Sequence, residues 1–297
     1  MKRHWVEQAE DRVFLSPVIR QVAFETAGVS FAACGPLLKA WNRWYKGLSG
    51  GEQYLWRETL QTVGEHARLL AQNGEPGDEK APILHTLGLR CYEQNLRAQS
   101  EALYREALKL RRNLATTSPS VYEPDVAMTC NNLAALLSAS PEGRKEAEKL
   151  YRESLELRRN LAKVNPSVYE PDVAMTCNNL AALLSASAEG RKEAEELFRE
   201  ALKLYRKLSA TNPSMYEPDM AGTCNNLALL LSDSTEGREE AEKLYRESLE
   251  LRRKQVRIAP GVYKLELVRV CRNLGRFLQS QGRTEEAAVL FQEAKGE

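Results

Sequence analysis

The stretch PSVYEPDVAMTCNNLAALLSAS fills residues 119–140 and returns unchanged at 166–187. A third copy, PSMYEPDMAGTCNNLALLLSDS, covers 213–234. The period is 47 residues, and it constrains the fold more than any other property of the chain. A short unit repeated in register buries its apolar surface chiefly against its own copies. Other positions keep the same register. Cys130, Cys177, Cys224 and Cys271 follow it, as do Tyr104, Tyr151 and Tyr245, with Phe198 in the equivalent place. So do the proline pairs Pro119/Pro124, Pro166/Pro171 and Pro213/Pro218, and the arginine pairs Arg111-Arg112, Arg158-Arg159 and Arg252-Arg253.

Each unit reads as two helices. The spacing predicts a first helix opening at Pro124-Asp125, since proline suits the first turn and an acid complements the positive end of the helix dipole. Val126, Cys130, Leu133, Ala134 and Leu137 then share one face at helical spacing. The second helix follows the break at Pro141-Glu142-Gly143 and ends before Asn165-Pro166. Its core face carries Ala147, Leu150, Tyr151, Ser154, Leu155 and Leu161. Arg158-Arg159 near its end would favour the negative pole of the dipole. Glu148 and Arg152, four apart, read as part of a solvated, ion-paired face. One pair cannot bury its own apolar face, so the copies are expected to stack into a solenoid.

The run from Asn131 to Leu155, with NNLA, then GR, then KEAEKLYRESL, resembles the tetratricopeptide repeat. The opening PDVAxxxNNLA is similar to the kinesin-light-chain type, although 47 residues exceeds that type's usual spacing. The resemblance implies an all-α right-handed superhelix with an N-terminal helical cap or small helical domain. It covers residues 81–297 in five units, about 81–122, 123–169, 170–216, 217–263 and 264–297. The first unit has His85-Thr86 in place of the two asparagines, and the last has Arg272-Asn273.

In that family the first helices line a concave groove, which the resemblance would place beside Met128, Asn131, Ala135 and Ser138. Two series follow: Asn131, Asn178, Asn225, Arg272, and Asn132, Asn179, Asn226, Asn273. A side-chain amide both donates and accepts, so it can hold the backbone of an extended peptide regardless of sequence. Peptide contact is the expectation for the first series. For the second, peptide contact and a bond to the adjacent helix backbone stand level. Met128 and Met175 would give an adaptable apolar floor, with Ser138 and Ser185 beside it. His85 and Arg272 interrupt the pattern at opposite ends, where either could read a charged group of a bound peptide.

Residues 1–80 do not repeat and hold all four tryptophans, Trp5, Trp41, Trp44 and Trp56. They are expected to cap the first repeat or to dock an effector. A helix is expected in EQYLWRETLQTVGEHARLLAQNG. Two lookalikes arise here. LSGGEQ at 48–53 resembles the ABC-ATPase signature, but the chain has no Gly-Lys dipeptide for the phosphate loop that signature needs. Residues 19–30 resemble the start of a helix-turn-helix. The helix that would read bases, FAACGPLLKAW, has Gly-Pro in its middle and no polar side chain near its start.

No HExxH or GxSxG is present, and a net charge of +1 gives no general attraction to nucleic acid or membrane. Equivalent cysteines in successive repeats are held apart, so they read as small buried thiols rather than disulfides or metal ligands. No cofactor and no metal is expected, and no membrane or nucleic-acid partner. The chain is expected to be a cytoplasmic, non-enzymatic scaffold that binds a peptide segment of another protein. The alternatives are an adaptor or regulatory subunit whose N-terminal region docks a protease or nuclease, and a peptide-sensing DNA-binding regulator.

Overall fold

A computed structural model describes residues 6–9, 12–15, 31–72 and 78–295. The chain forms two compact units, residues 1–136 and 137–297. The fold is all-α repeats with an N-terminal helical cap, and one addition is a short hairpin. In it β1 (Val6–Ala9) pairs antiparallel with β2 (Arg12–Leu15), Val6 opposite Leu15.

In the first unit the cap comprises α1 (Phe31–Lys46), α2 (Gly50–Leu55) and α3 (Arg57–Gln72). The expected 52–74 helix is therefore two helices, interrupted at Trp56. The LSGGEQ lookalike is a helix start. The Glu52 N–H donates to Ser49 Oγ at 3.4 Å, and the Ser49 N–H donates to Glu52 Oε2 at 2.9 Å. This is a capping box, which needs only Ser and Glu three apart. Of the helix-turn-helix lookalike, residues 19–30 lie outside the described residues. Its proposed reading helix is the first part of α1, with Pro36 inside.

The first repeat follows as α4 (Lys80–Glu93) and α5 (Arg97–Thr117). Tyr45, Leu60 and Ala67 of the cap are buried in one cluster with Leu84, Leu87 and Cys91 of α4 and Leu103 and Ala107 of α5. Each large apolar side chain so buried contributes about 1.5–3 kcal/mol relative to exposure, which is how the cap covers the first repeat. Gly88 of α4 lies 3.0 Å, measured from where a Cβ would sit, from the Tyr104 ring. A small residue is needed there for α4 and α5 to close. The unit ends in α6 (Pro119–Leu137), whose last residue begins the second unit.

The second unit repeats one pattern: α7 (Arg144–Val164), α8 (Pro166–Leu184), α9 (Arg191–Thr211), α10 (Pro213–Leu231), α11 (Arg238–Ile258), α12 (Pro260–Ser280) and α13 (Thr284–Lys295). Each helix packs on the next, and α10 also touches α8 and α12. The first helices begin at Pro166, Pro213 and Pro260, about one and a half turns before the Pro-Asp start expected from sequence. The PSVYE connector is thus helical. Its leading proline takes the N1 place, where no amide is needed, and Pro171 or Pro218 forfeits a single bond in the second turn.

The turns between helices depend on glycine. A Cβ on Gly190 would stand 2.5 Å from the Leu184 carbonyl oxygen, and one on Gly237 would stand 2.7 Å from that of Leu231. Cys177, Cys224 and Cys271 are buried free thiols, pushed up to about 12 chiefly by loss of solvent. Among the described residues no helix is long and apolar enough to cross a membrane.

Candidate functional site

The asparagines form rungs between successive first helices. In the second unit Asn226 Nδ2 on α10 donates to Asn178 Oδ1 on α8 at 3.2 Å. Asn273 Nδ2 on α12 donates to Asn225 Oδ1 on α10 at 3.0 Å. In the first unit Asn132 Nδ2 on α6 meets His85 Nε2 on α4 at 3.3 Å. The rule is the same each time: the second asparagine of a repeat reaches back to the first position of the preceding repeat. Within each pair the first amide donates to the second, Asn131 to Asn132 at 3.3 Å and Asn225 to Asn226 at 3.4 Å. Asn178 to Asn179 is longer, at 3.5 Å.

Burial divides the two series. Asn131 and Asn225 are 3% and 1% exposed, while Asn178 and the whole second series are half-buried. Asn132, Asn226 and Asn273 of the second series each bond to a side chain of the preceding first helix. Met128, Met175, Ser138 and Ser185 are half-buried, and Arg272 is exposed. In the second unit Ser138, Asn179 and Ala182 line one cavity of about 260 Å3 with Arg144 and Tyr151.

His85 is 6% exposed and commits both ring nitrogens inside the protein. Nε2 faces the Asn132 amide, and Nδ1 lies 3.3 Å from Thr129 Oγ1. With Asn132 Nδ2 as donor, Nε2 must accept, so the proton sits on Nδ1. Burial, helped by the Arg111 charge, pushes His85 down to about 3, so the ring is neutral. Its place is that of an acceptor in the ladder, the part asparagine plays in the other repeats.

A second network lies beneath the ladder, and the sequence reading missed it. Arg158, assigned above to the helix dipole, is buried and reaches from α7 into α8. Its Nη1 donates to the Asp172 carbonyl at 3.1 Å and to Thr176 Oγ1. Arg111 does the same in the first unit, to the Asp125 carbonyl at 3.2 Å and to Thr129. Its neighbour in sequence behaves as expected of a surface charge: Arg159 pairs with Glu200 across the outer helices. A signal was present, because Arg158 is three residues beyond Leu155 and so falls on the core face. Where the arginine is replaced by Tyr205, Thr223 turns to Asn178 Oδ1 instead, at 3.3 Å.

Helix pairs of this kind, joined by glycine turns, are the architecture of the tetratricopeptide repeat. The tetratricopeptide-repeat family model matches residues 173–212, 220–254 and 268–295. The repeats within residues 173–295 match the tetratricopeptide repeat, and they resemble those of kinesin light chains in their PDVAxxxNNLA opening. No curated protein sequence matches the chain. Among solved structures, BtubC (BKLC) from P. vanneervenii is similar at TM-score 0.61 and 21% identity, over 84% of this chain and 91% of that one. The apo form of RapI is similar at TM-score 0.53 and 16% identity, over 82% and 94%. A putative kinesin light chain with nearly identical repeats from Podosopora anserina gives TM-score 0.48 and 16% identity, over 73% and 94%. The first two likenesses are of fold.

Proposed function

We propose that the chain is a non-catalytic protein-interaction module, and that a peptide segment of a partner lies along the face of the first helices that carries the second asparagine series. The observation that carries this reading is the unspent valence of the Asn226 amide. Asn226 gives one N–H to Asn178 and accepts one from Asn225. An amide has two N–H groups and two lone pairs, so one of each remains on a half-buried side chain. Beside it the face opens: Ala182 and Leu229, at equivalent places in successive repeats, are exposed, and Arg272 and Arg276 follow on α12. The cavity lined by Ser138, Arg144 and Asn179 supplies one formed subsite. In this reading the buried Asn131 and Asn225, with His85, hold the amides in place, and the second series with Asn178, Met175 and Arg272 meets the ligand.

A photo-crosslinking residue at Ala182, compared with one at Lys203 on an outer helix, tests this without breaking a rung. Crosslinks to a partner from position 182 alone, abolished by Leu229→Glu in a chain of unchanged helicity, are the expected result. Equal crosslinking from both positions, or none from 182, would remove the face from consideration.

A second reading has its own observation. Leu37, Trp44, Tyr54 and Leu55 on α1 and α2 are exposed. Such apolar exposure on a cap favours docking of an effector there, making the chain an adaptor. Partner capture by the full chain that is lost on Leu55→Glu, yet kept on Leu229→Glu, would establish it.

A further inference from the structure

The repeats also differ at a place far along the helices from the asparagines. Where α10, α11 and α12 meet near the proline connector, the second unit holds a cavity of about 350 Å3. Its walls include Pro213, Pro218, Ile258 and Tyr263, and Lys254 and Glu217, ion-paired at 2.8 Å, also line it. Gln255 lines it too. In the two preceding repeats this position is Leu161 and Leu208, so a buried amide has replaced an apolar side chain here.

Gln255 is 5% exposed, and its two ends are used unequally. Arg252 Nη1 donates to Gln255 Oε1 at 2.8 Å. A guanidinium can only donate, so the amide oxygen must face it and the nitrogen must face away. That nitrogen, Nε2, is buried with no hydrogen-bond partner. A buried amide donor without an acceptor is costly, and native proteins rarely keep one. Together the features are those of a ligand site: a concave apolar pocket of ordinary size, with an unpartnered buried donor on one of its wall residues.

We propose that this cavity is a second peptide-binding site, separate from the asparagine face, which takes a branched apolar side chain and pairs Gln255 Nε2 with the backbone carbonyl beside it. Pro213, Pro218, Ile258 and Tyr263 would enclose the side chain. The cavity is too small for a folded surface, and its one donor matches a carbonyl rather than a charged group. Lys254 and Glu217 already neutralise each other at its edge, so net charge in the ligand gains nothing.

The test uses the full 15N-labelled chain and N-acetyl-leucine N′-methylamide as probe, with the lysine analogue as control. The Gln255 side-chain amide resonance, assigned from its loss in Gln255→Glu, is followed during titration. A saturable shift with the leucine probe and none with the lysine probe is the expected result. Gln255→Glu keeps an oxygen for Arg252 but offers the ligand no donor, so it should weaken probe binding about tenfold or more without lowering the melting temperature. Tyr263→Ala should weaken it through the wall instead. Any one of three outcomes overturns the proposal. These are no shift with either probe, equal shifts with both, or a concentration-dependent dimer whose loss on Ile258→Glu shows the cavity to be covered by a second copy. Leu229→Glu leaves this site intact, so failure here and failure of the asparagine face are read separately.

Discussion

The α7–α8 joint and the α11–α12 joint solve one problem in two ways. Both bury an arginine at the same repeat position, Arg158 in the first and Arg252 in the second. At the earlier joint α8 supplies a hydroxyl, Thr176, and the Asp172 carbonyl. At the later joint Val270 stands where threonine would be, and the carboxylate of Glu266 is 4.0 Å away. The guanidinium turns to Gln255 on its own helix instead. A buried charge needs acceptors nearby or it destabilises the fold. The lesson is that the arginine tolerates a change of partner but not the loss of one. The glutamine that rescues it leaves an unpartnered buried donor beside a cavity.

Transplanting the later solution into the earlier joint is the sharpest way to break this comparison. Thr176→Val should cost about 2–3 kcal/mol, because a buried charged donor loses its side-chain acceptor. Adding Leu161→Gln, at the position equivalent to Gln255, should recover a substantial part of that loss. Urea denaturation of the single and double variants measures both steps. If the double variant is no more stable than the single one, Gln255 is not the compensating residue.

The helix-pair architecture was legible because the 47-residue period, the Glu-Gly turns and the apolar spacing all state it locally. Leu133, Leu150 and Tyr151 are buried as their spacing requires. The connector was misread because Pro171 looks like a helix start when Pro166 is taken for a loop residue, and either proline satisfies the rule for a first turn. The ladder was half legible. The wheel of one helix puts Asn132 on a flank, but which partner it meets depends on the offset between adjacent helices, and that offset is set by packing. Arg158 was missed for a related reason. A single helix shows a charge near its C-terminus, and only the next helix shows the threonine that lets the charge be buried.

The joint between α4 and α6 extends the comparison to a third solution, in which the ladder acceptor is His85. Its folded value is about 3, below the usual histidine value of about 6.5. The unfolded chain therefore binds a proton that the folded chain refuses as pH falls below about 6.5. Stability from this group is whole above that pH and declines toward pH 3, by up to about 1.4 kcal/mol per pH unit. His85→Asn, which installs the residue used in the middle repeats, should flatten the slope between pH 6.5 and 4.5 while keeping an acceptor for Asn132. Denaturation midpoints across that range decide it. An unchanged slope would place the acid sensitivity elsewhere.

A smaller effect tests the later joint from its other side. Val270→Thr would restore the missing hydroxyl beside Arg252 and should raise stability by about 1 kcal/mol, the usual worth of one hydrogen bond. It should also loosen the hold on Gln255 and so change the Gln255 amide resonance. A variant less stable than the parent would show that α12 has repacked around valine and no longer has room for the hydroxyl.

The smallest effect is expected where the repeats agree most visibly. Arginines of the outer helices reach the next outer helix throughout the second unit: Arg152 to Glu193, Arg199 to Glu240 at 2.6 Å, Arg206 to Glu247 at 2.7 Å. Hydrogen bonding from Arg199 holds the Glu240 carboxyl below its usual range, so what stability it adds is present near neutral pH and fades under acid. Yet both side chains are more than a third exposed, and water and salt screen such pairs. Arg199→Gln should cost about 0.5 kcal/mol at low ionic strength and nearly nothing in 1 M salt, read from the melting temperature in each. A cost like that of Thr176→Val would mean that the outer ion pairs, and not the buried arginines, set the geometry of the joint.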